Sequence, residues 1–286
     1  MKIAFVTDTG TGIHPDEWRK EGIYCVPLQI ECDGVSYDEM VTITYDQYME
    51  NLHNKKMMKT SLPKLGYIEE CFREIKEAGY DTVFCVPICR GLSGALDAME
   101  MMAKQTGLEY IGVDCFVTAV VEAQLVRTAK RMYEQGKDID TILKRLNEII
   151  DTSDTILIFE DLQHMVRGGR LTPMAAALAG FLRIKPVLHL NRTTKGRVDV
   201  MAKVRTTRKA QETVIDVIKK AGANKDYTYI LAHVDALENA KIYARRIEEA
   251  IQGAHVQIIN LVSTVGVHTG LGCLALQIFN ETVYNE

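Results

Sequence analysis

Three short polar motifs lie far apart in the chain: Thr60-Ser61-Leu62-Pro63, Gly91-Leu92-Ser93-Gly94 and Val267-His268-Thr269-Gly270. Each follows or borders an apolar, strand-like run, and open α/β sheets place their ligands at such strand ends. All three offer hydroxyls, the second and third add glycine-freed backbone N–H groups, and none contains a carboxylate. The group they suit is therefore acidic, a carboxylate or a phosphate. Arg167-Gly168-Gly169-Arg170 adds a cation, because two adjacent glycines permit a backbone path that aims the fixed charge of Arg170 inward.

Taken one at a time, these residues have plainer readings. Ser93 suits the N-cap of the following helix, Thr60-Ser61 suits a turn before Pro63 and a helix start, and His268 suits a hydrogen-bonded core position. A catalytic alternative also exists. Gly91-Leu92-Ser93-Gly94-Ala95 approaches the G-x-S-x-G nucleophile elbow, and Ser93, Asp235 and His268 stand in the chain order of an α/β-hydrolase triad. Against an esterase, Cys89 and Arg90 separate the strand from Gly91, Ala95 replaces the last glycine, and no HGGG-like oxyanion segment precedes it.

The elements that must hold these motifs alternate between strand and helix. Lys2 to Thr7 reads as a strand, and Ile23 to Ile30 with Val35 to Tyr37 as a hairpin around Asp33-Gly34. Thr44 and Gln47 form a capping box for a short helix. After a Thr60-Ser61 loop, Ile68, Cys71, Phe72 and Ile75 recur at helical spacing until Gly79. Val83 to Ile88 is a strand, Leu96, Met99 and Ala103 mark a helix, Tyr110 to Val113 is a strand, and two long helices run over 118–135 and 139–150. That half predicts a parallel, doubly wound βα domain over 1–154. Over 155–286, strands at 155–159, 186–190, 197–204, 227–233 and 255–261, with helices around 206–221 and 236–251, predict a mixed-sheet α/β domain.

The chain has 286 residues, 47% hydrophobic and 25% charged, which is enough to bury a sizeable core and suits two domains. Met1 leads straight into a strand without a signal pattern, and the longest apolar stretch, Met174 to Leu182, ends at Arg183 and Lys185. A cytoplasmic protein without stable membrane insertion is expected. Seven dispersed cysteines, an odd number, read as reduced core thiols. The absence of CxxC and HxxxH pairs predicts no structural metal. No P-loop and no acidic Mg²⁺ cluster is present, so the chain is not expected to bind ATP by itself, and no cofactor is expected.

Charge is unevenly spread. Between Arg167 and Lys209 stand eleven Lys/Arg against the single acid Asp199, a balance of +10 that leaves −14 for the rest of a chain whose total is −4. Such a run suits either a solvated face or a docking surface for something negative, with Lys203, Arg205, Arg208 and Lys209 its densest part. Nucleic acid fits poorly, since the remainder is acidic and no aromatic residues interleave with the basic ones.

Together, Thr7-Asp8-Thr9, Thr60-Ser61-x-Pro63, Gly91-Leu92-Ser93-Gly94, Arg167-Gly168-Gly169-Arg170, Ile184-Lys185-Pro186-Val187-Leu188, Lys203-Val204-Arg205-Thr206, His233-x-Asp235 and His268-Thr269-Gly270-x-Gly272 resemble, in order and spacing, the DegV family. The resemblance covers essentially the whole chain. It implies a two-domain α/β fold that encloses a long-chain fatty acid, such as palmitate, in a tunnel between the domains. It further implies a non-catalytic, lipid-binding subunit of a bacterial fatty acid kinase, which presents the carboxylate to a separate ATP-using subunit and retains the acyl phosphate. On the matching positions, Thr60 and Ser93 would hold the carboxylate with Ser61 and the Gly94 N–H nearby, and Arg170, His268 and Thr269 would complete the polar network. The chain departs from the family pattern at Lys64, at Cys89-Arg90 and at Cys115 to Thr118, which bears on the tunnel lining and the partner surface. The apolar stretch Pro173 to Leu182, with Leu178, Phe181 and Leu182, suits either core or a tunnel wall.

Overall fold

The computed structural model describes residues 1–178 and 184–280 and divides into two compact units. The first holds Met1–Leu146 with Val262–Val267, the second Asn147–Leu261 with the chain from His268 onward. The sequence reading cuts the chain at 154/155; here two of the three crossings fall inside helices, Ile139–Thr152 and Ser263–Thr269, and the third, between Leu261 and Val262, falls just before the second of these helices. Helices carry no linker composition, so nothing in the sequence marks these crossings.

In the first unit, strands β1 (Ile3–Asp8), β2 (Tyr24–Val26), β6 (Thr82–Cys85) and β7 (Glu109–Gly112) form a parallel sheet in the order β2-β1-β6-β7. Strand β1 is buried at every position, as a central strand covered on both faces must be. Its Ala4 and Val6 pack with Ile68, Phe72 and Ile75 of helix Leu65–Glu77 and with Met99, Met102 and Ala103 of helix Ala95–Thr106. On the other face Phe5 meets Tyr133 of helix Ala119–Glu134, ring centroids 5.7 Å apart. The expected doubly wound core is present.

The expected hairpin around Asp33-Gly34 is present, but its first arm is shorter than expected. Pro27 has no N–H to give a ladder, and the chain changes sheet around it: β2 joins the parallel sheet, while β3 (Gln29–Cys32) pairs antiparallel with β4 (Val35–Asp38) around Asp33 and Gly34, both at positive φ. Thr60-Ser61, read as a loop, is the end of strand β5 (Met58–Ser61) on the other edge of this small sheet β4-β3-β5. It pairs Thr60 with Ile30 and Ser61 with Gln29. An edge strand with alternate positions exposed lacks the apolar run that would announce it.

The second unit is a mixed sheet in the order β10-β9-β8-β13-β11-β12, from β8 (Asp154–Ile158), β9 (Lys185–Leu190), β10 (Asp199–Val204), β11 (Tyr227–His233), β12 (Val256–Asn260) and β13 (Leu274–Asn280). Strand β13, absent from the sequence reading, runs antiparallel between β8 and β11. Its seven residues are too short and too uniformly apolar for periodicity to type them. Leu276 and Ile278 pack with Val214 and Ile218 of helix Thr207–Lys220 and with Tyr243 and Ile247 of helix Leu237–Ala250.

All seven cysteines are free thiols. Among the described residues no helix is long and apolar enough to cross a membrane, and no group of three or more His, Cys, Asp or Glu side chains could hold a metal ion.

Candidate functional site

The sequence candidates fall into two sets, one in each unit. In the first, the loop after β6 carries Ser93 and the end of β5 carries Thr60 and Ser61. Asp8, at the carboxyl end of β1, fixes the first of these loops. Its Oδ2 accepts the Ile88 N–H at 3.2 Å, and its Oδ1 accepts the Gly10 N–H at 2.7 Å. The loop then winds back on itself, with the Leu92 and Ser93 N–H groups both donating to the Cys89 carbonyl at 3.0 Å. Ser93 is half-buried, and its Oγ accepts the Ala95 N–H at 3.3 Å. Gly94, not Ser93, is the N-cap of helix Ala95–Thr106. The serine hydroxyl thus stands just before the N-terminus of a helix whose first-turn N–H groups favour an anion.

The two loops of this unit come close together. A Cβ added to Gly94 would lie 3.7 Å from Leu62 Cδ2, so Leu62 ties the Thr60-Ser61 segment to the Ser93-Gly94 turn. Thr60 is half-buried and Ser61 exposed. Lys64, one of the departures from the family pattern, is committed elsewhere: its Nζ lies 2.9 Å from Asp38 Oδ1 and 4.9 Å from the centre of the Tyr67 ring. Tyr67 also donates to Asp38 Oδ2 at 3.0 Å, and these partners hold the Asp38 carboxyl below the ordinary carboxylate range despite its burial. Arg90 is likewise engaged, donating to Asp97 at 2.8 Å.

In the second unit, helix Gln163–Gly168 ends at Gly169, whose φ of +69° makes it a left-handed C-cap. The chain then turns Arg170 back so that its guanidinium donates to the Gly168 carbonyl. Arg170 is half-buried, and that burial lowers its pKa. The two glycines have different jobs. Gly169 supplies the turn, whereas Gly168 supplies space: a Cβ there would clash with His268 Nδ1. The reverse contact also exists, since a Cβ on Gly270 would meet the His164 ring at 2.9 Å. Each imidazole fills the notch left by a glycine of the other segment.

Burial, and then the positive charge of Arg170, push the His268 imidazole down to about 4. It is therefore neutral at physiological pH, and Arg170 carries the positive charge of this set. Thr269 is buried and hydrogen-bonds Cys273. Asp235 is exposed with φ of +49°, and beside it the buried His233 Nδ1 faces the Ala236 N–H at 3.3 Å. Lys203, Arg205 and Arg208 are all exposed, but Arg208 donates to Glu212 at 3.0 Å, so part of the basic run is neutralised within its own helix. Of the stretch Pro173 to Leu182, helix Pro173–Ala177 buries Ala175 and leaves Met174 exposed, and Leu178 is buried. Phe181 and Leu182 lie outside the described residues.

Sequence reasoning passed over the buried acids of the first unit. Asp8, Glu39 and Glu122 are all fully buried, at 0% exposure. Asp8 and Glu122 hydrogen-bond each other, and Glu122 also receives the hydroxyls of Thr7 and Thr118. The pattern Thr7-Asp8-Thr9 at the end of β1 was the available signal. His164 was passed over too, because a lone histidine on a short helix carries no pattern.

The family model of DegV matches residues 2–281. The chain belongs to the DegV family. A DegV domain-containing protein of Streptococcus pneumoniae is 28% identical over 278 residues, which span 96% of this chain and 98% of that protein. Among solved structures, a fatty acid binding DegV family protein from Streptococcus agalactiae is 29% identical with a TM-score of 0.88, covering 98% of this chain and 99% of its own. DegV from Bacillus subtilis, a fatty acid binding protein, has a TM-score of 0.85 at 21% identity, with 98% and 99% covered, and supports the fold. The two-domain DegV architecture expected from the motifs is that of this chain.

Proposed function

We propose that this DegV protein carries a long-chain fatty acid. The carboxylate is taken by the hydroxyls of Thr60 and Ser93, with Ser61 and the Gly94 N–H beside them, while Arg170 supplies the counter-charge and neutral His268 with Thr269 supplies further hydrogen bonds. The observation that carries this reading is the likeness, over nearly the full length of both chains, to a solved DegV protein that binds fatty acid. The local chemistry supports it. Hydroxyls, a helix N-terminus and a half-buried arginine beside an uncharged imidazole suit an anion, and a monoanionic carboxylate is balanced by one arginine.

The finer role we propose is that of a carrier subunit. A separate ATP-using kinase transfers the γ-phosphoryl group to a carboxylate oxygen, releasing ADP, and the acyl phosphate stays on this chain. The exposed side chains of Lys203, Arg205 and Arg208 are the proposed docking face for an acidic surface of that kinase. Ser93 acts as a hydrogen-bond donor and not as a nucleophile.

Native mass spectrometry of the purified protein, with identification of any copurifying lipid, tests the ligand class. A bound long-chain acid is expected. Stoichiometric labelling of Ser93 by a fluorophosphonate, lost in Ser93→Ala, would replace this reading with the hydrolase that uses Ser93, Asp235 and His268.

A further inference from the structure

Glu39 holds together three segments that are remote in sequence. Its backbone N–H donates to the Leu28 carbonyl at 2.9 Å, and the Leu28 N–H donates to Thr9 Oγ at 3.0 Å. Thr9 in turn donates to Glu39 Oε2 at 2.6 Å, which closes a ring of hydrogen bonds. Into this ring comes a segment 225 positions away: the Thr264 N–H donates to Glu39 Oε1 at 2.7 Å, and its hydroxyl donates to Oε2 at 3.1 Å. Thr264 is the second residue of helix Ser263–Thr269, whose last two residues are His268 and Thr269.

Burying a carboxyl completely is costly unless its oxygens are satisfied, and an apolar side chain would fill the same space at lower cost. The parallel sheet gains nothing from Glu39, which stands outside it, after the end of β4. What its two oxygens achieve is to fix the N-terminal turn of a short helix. A seven-residue helix has little stability of its own, so an anchor at one end governs the direction of the other.

We infer that Glu39 is a positioning residue: it clamps Thr9 to Thr264 and thereby sets the direction of the helix that ends in His268 and Thr269. The inference rests on the reading of His268 and Thr269 as fatty acid ligands. Glu39 itself touches no ligand in this account; it acts through the helix.

The experiment uses the delipidated full chain, with palmitate as the probe. Glu39→Ala should weaken palmitate binding by about tenfold, as loss of its hydrogen bonds to the helix end would allow. Glu39→Gln should restore affinity to within about threefold, because its amide oxygen still accepts the Thr264 N–H and the two threonine hydroxyls can turn to accept from its amide nitrogen. The imidazole resonances of His268, assigned by comparison with His268→Ala, should move in Glu39→Ala and return in Glu39→Gln. If Glu39→Ala does not fold, Thr264→Val, which keeps the backbone bond and loses the hydroxyl, should give a smaller change in the same direction. Unchanged His268 resonances and unchanged affinity in the alanine and valine variants that fold would overturn the inference. If wild type fails to bind palmitate, the carrier reading fails, and the His268 resonances alone still decide whether Glu39 positions that helix.

Discussion

Gly168 and His268 occupy one space: a Cβ on the glycine would stand far inside van der Waals contact with the imidazole Nδ1. The backbone at Gly168 is not in the left-handed region, so alanine is excluded by the ring and not by φ. Gly168→Ala should therefore cost about 1–3 kcal/mol through overpacking. In a His268→Ala background the same change should be close to neutral, since the clashing ring is gone. Denaturation midpoints of the four proteins in this cycle provide the check, and equal costs in both backgrounds would show that the glycine serves something other than the histidine.

The neutrality of His268 gives a second expectation. Burial lowers its pKa first, and Arg170 lowers it further, to about 4. Removing the cation in Arg170→Gln should raise the imidazole pKa while leaving it below that of an exposed histidine. A proton NMR titration of the delipidated protein reads this directly. An unmoved or lowered pKa would mean that the guanidinium does not act on the ring.

Glu39 predicts a pH dependence of stability. Burial raises its carboxyl from 4.5 to about 7, against the hydrogen bonds from Thr9 and Thr264 that lower it. Between those values the folded protein keeps a proton that the unfolded chain has released, so stability is fully present below about pH 4.5 and is lost as pH rises through about 7. Asp8, raised to about 6 by the same cause, acts in the same direction, whereas buried His268 acts oppositely below about 6.5. The Glu39 contribution is isolated by difference: between pH 5.5 and 8, wild type should lose more stability than Glu39→Gln. Parallel pH profiles would contradict the assignment.

How much of this was legible in the sequence depended on what each residue must advertise. The central strand Ile3–Asp8 and helices such as Leu65–Glu77 are announced by burial patterns that extend over whole elements. Strand Met58–Ser61 was missed because half of it faces water, and Leu274–Asn280 because its short, mostly apolar run does not alternate and follows a glycine-rich turn. The proposed ligand residues Thr60, Ser93, Arg170 and His268 stood out only as members of an ordered motif set. Glu39 could not, because its partners Thr9, Leu28 and Thr264 are brought together by topology alone.

The basic run makes a kinetic prediction. Reversing Arg205 and Arg208 to glutamate should slow acyl phosphate formation with the cognate kinase at low salt, less so at high salt, because the effect is long-range attraction. Arg208 already donates to Glu212, so Arg205→Glu should carry the larger share. Palmitate affinity should be unchanged. A wild-type phosphorylation rate at low salt would return these residues to a solvated face.

The carrier reading is tested most directly by calorimetry of the delipidated protein with palmitate, oleate and butyrate. Each buried CH₂ contributes about 0.8 kcal/mol, so a chain of ~16 carbons has a gross drive of about 12 kcal/mol before association costs, whereas the short chain of butyrate supplies only about 2 kcal/mol, too little to offset them. Tight binding of one or both long acids, no measurable binding of butyrate, and a tenfold to hundredfold loss for Ser93→Ala, on the order of 1.5–3 kcal/mol, are the expected results. Equal or absent binding of all three acids would contradict the account.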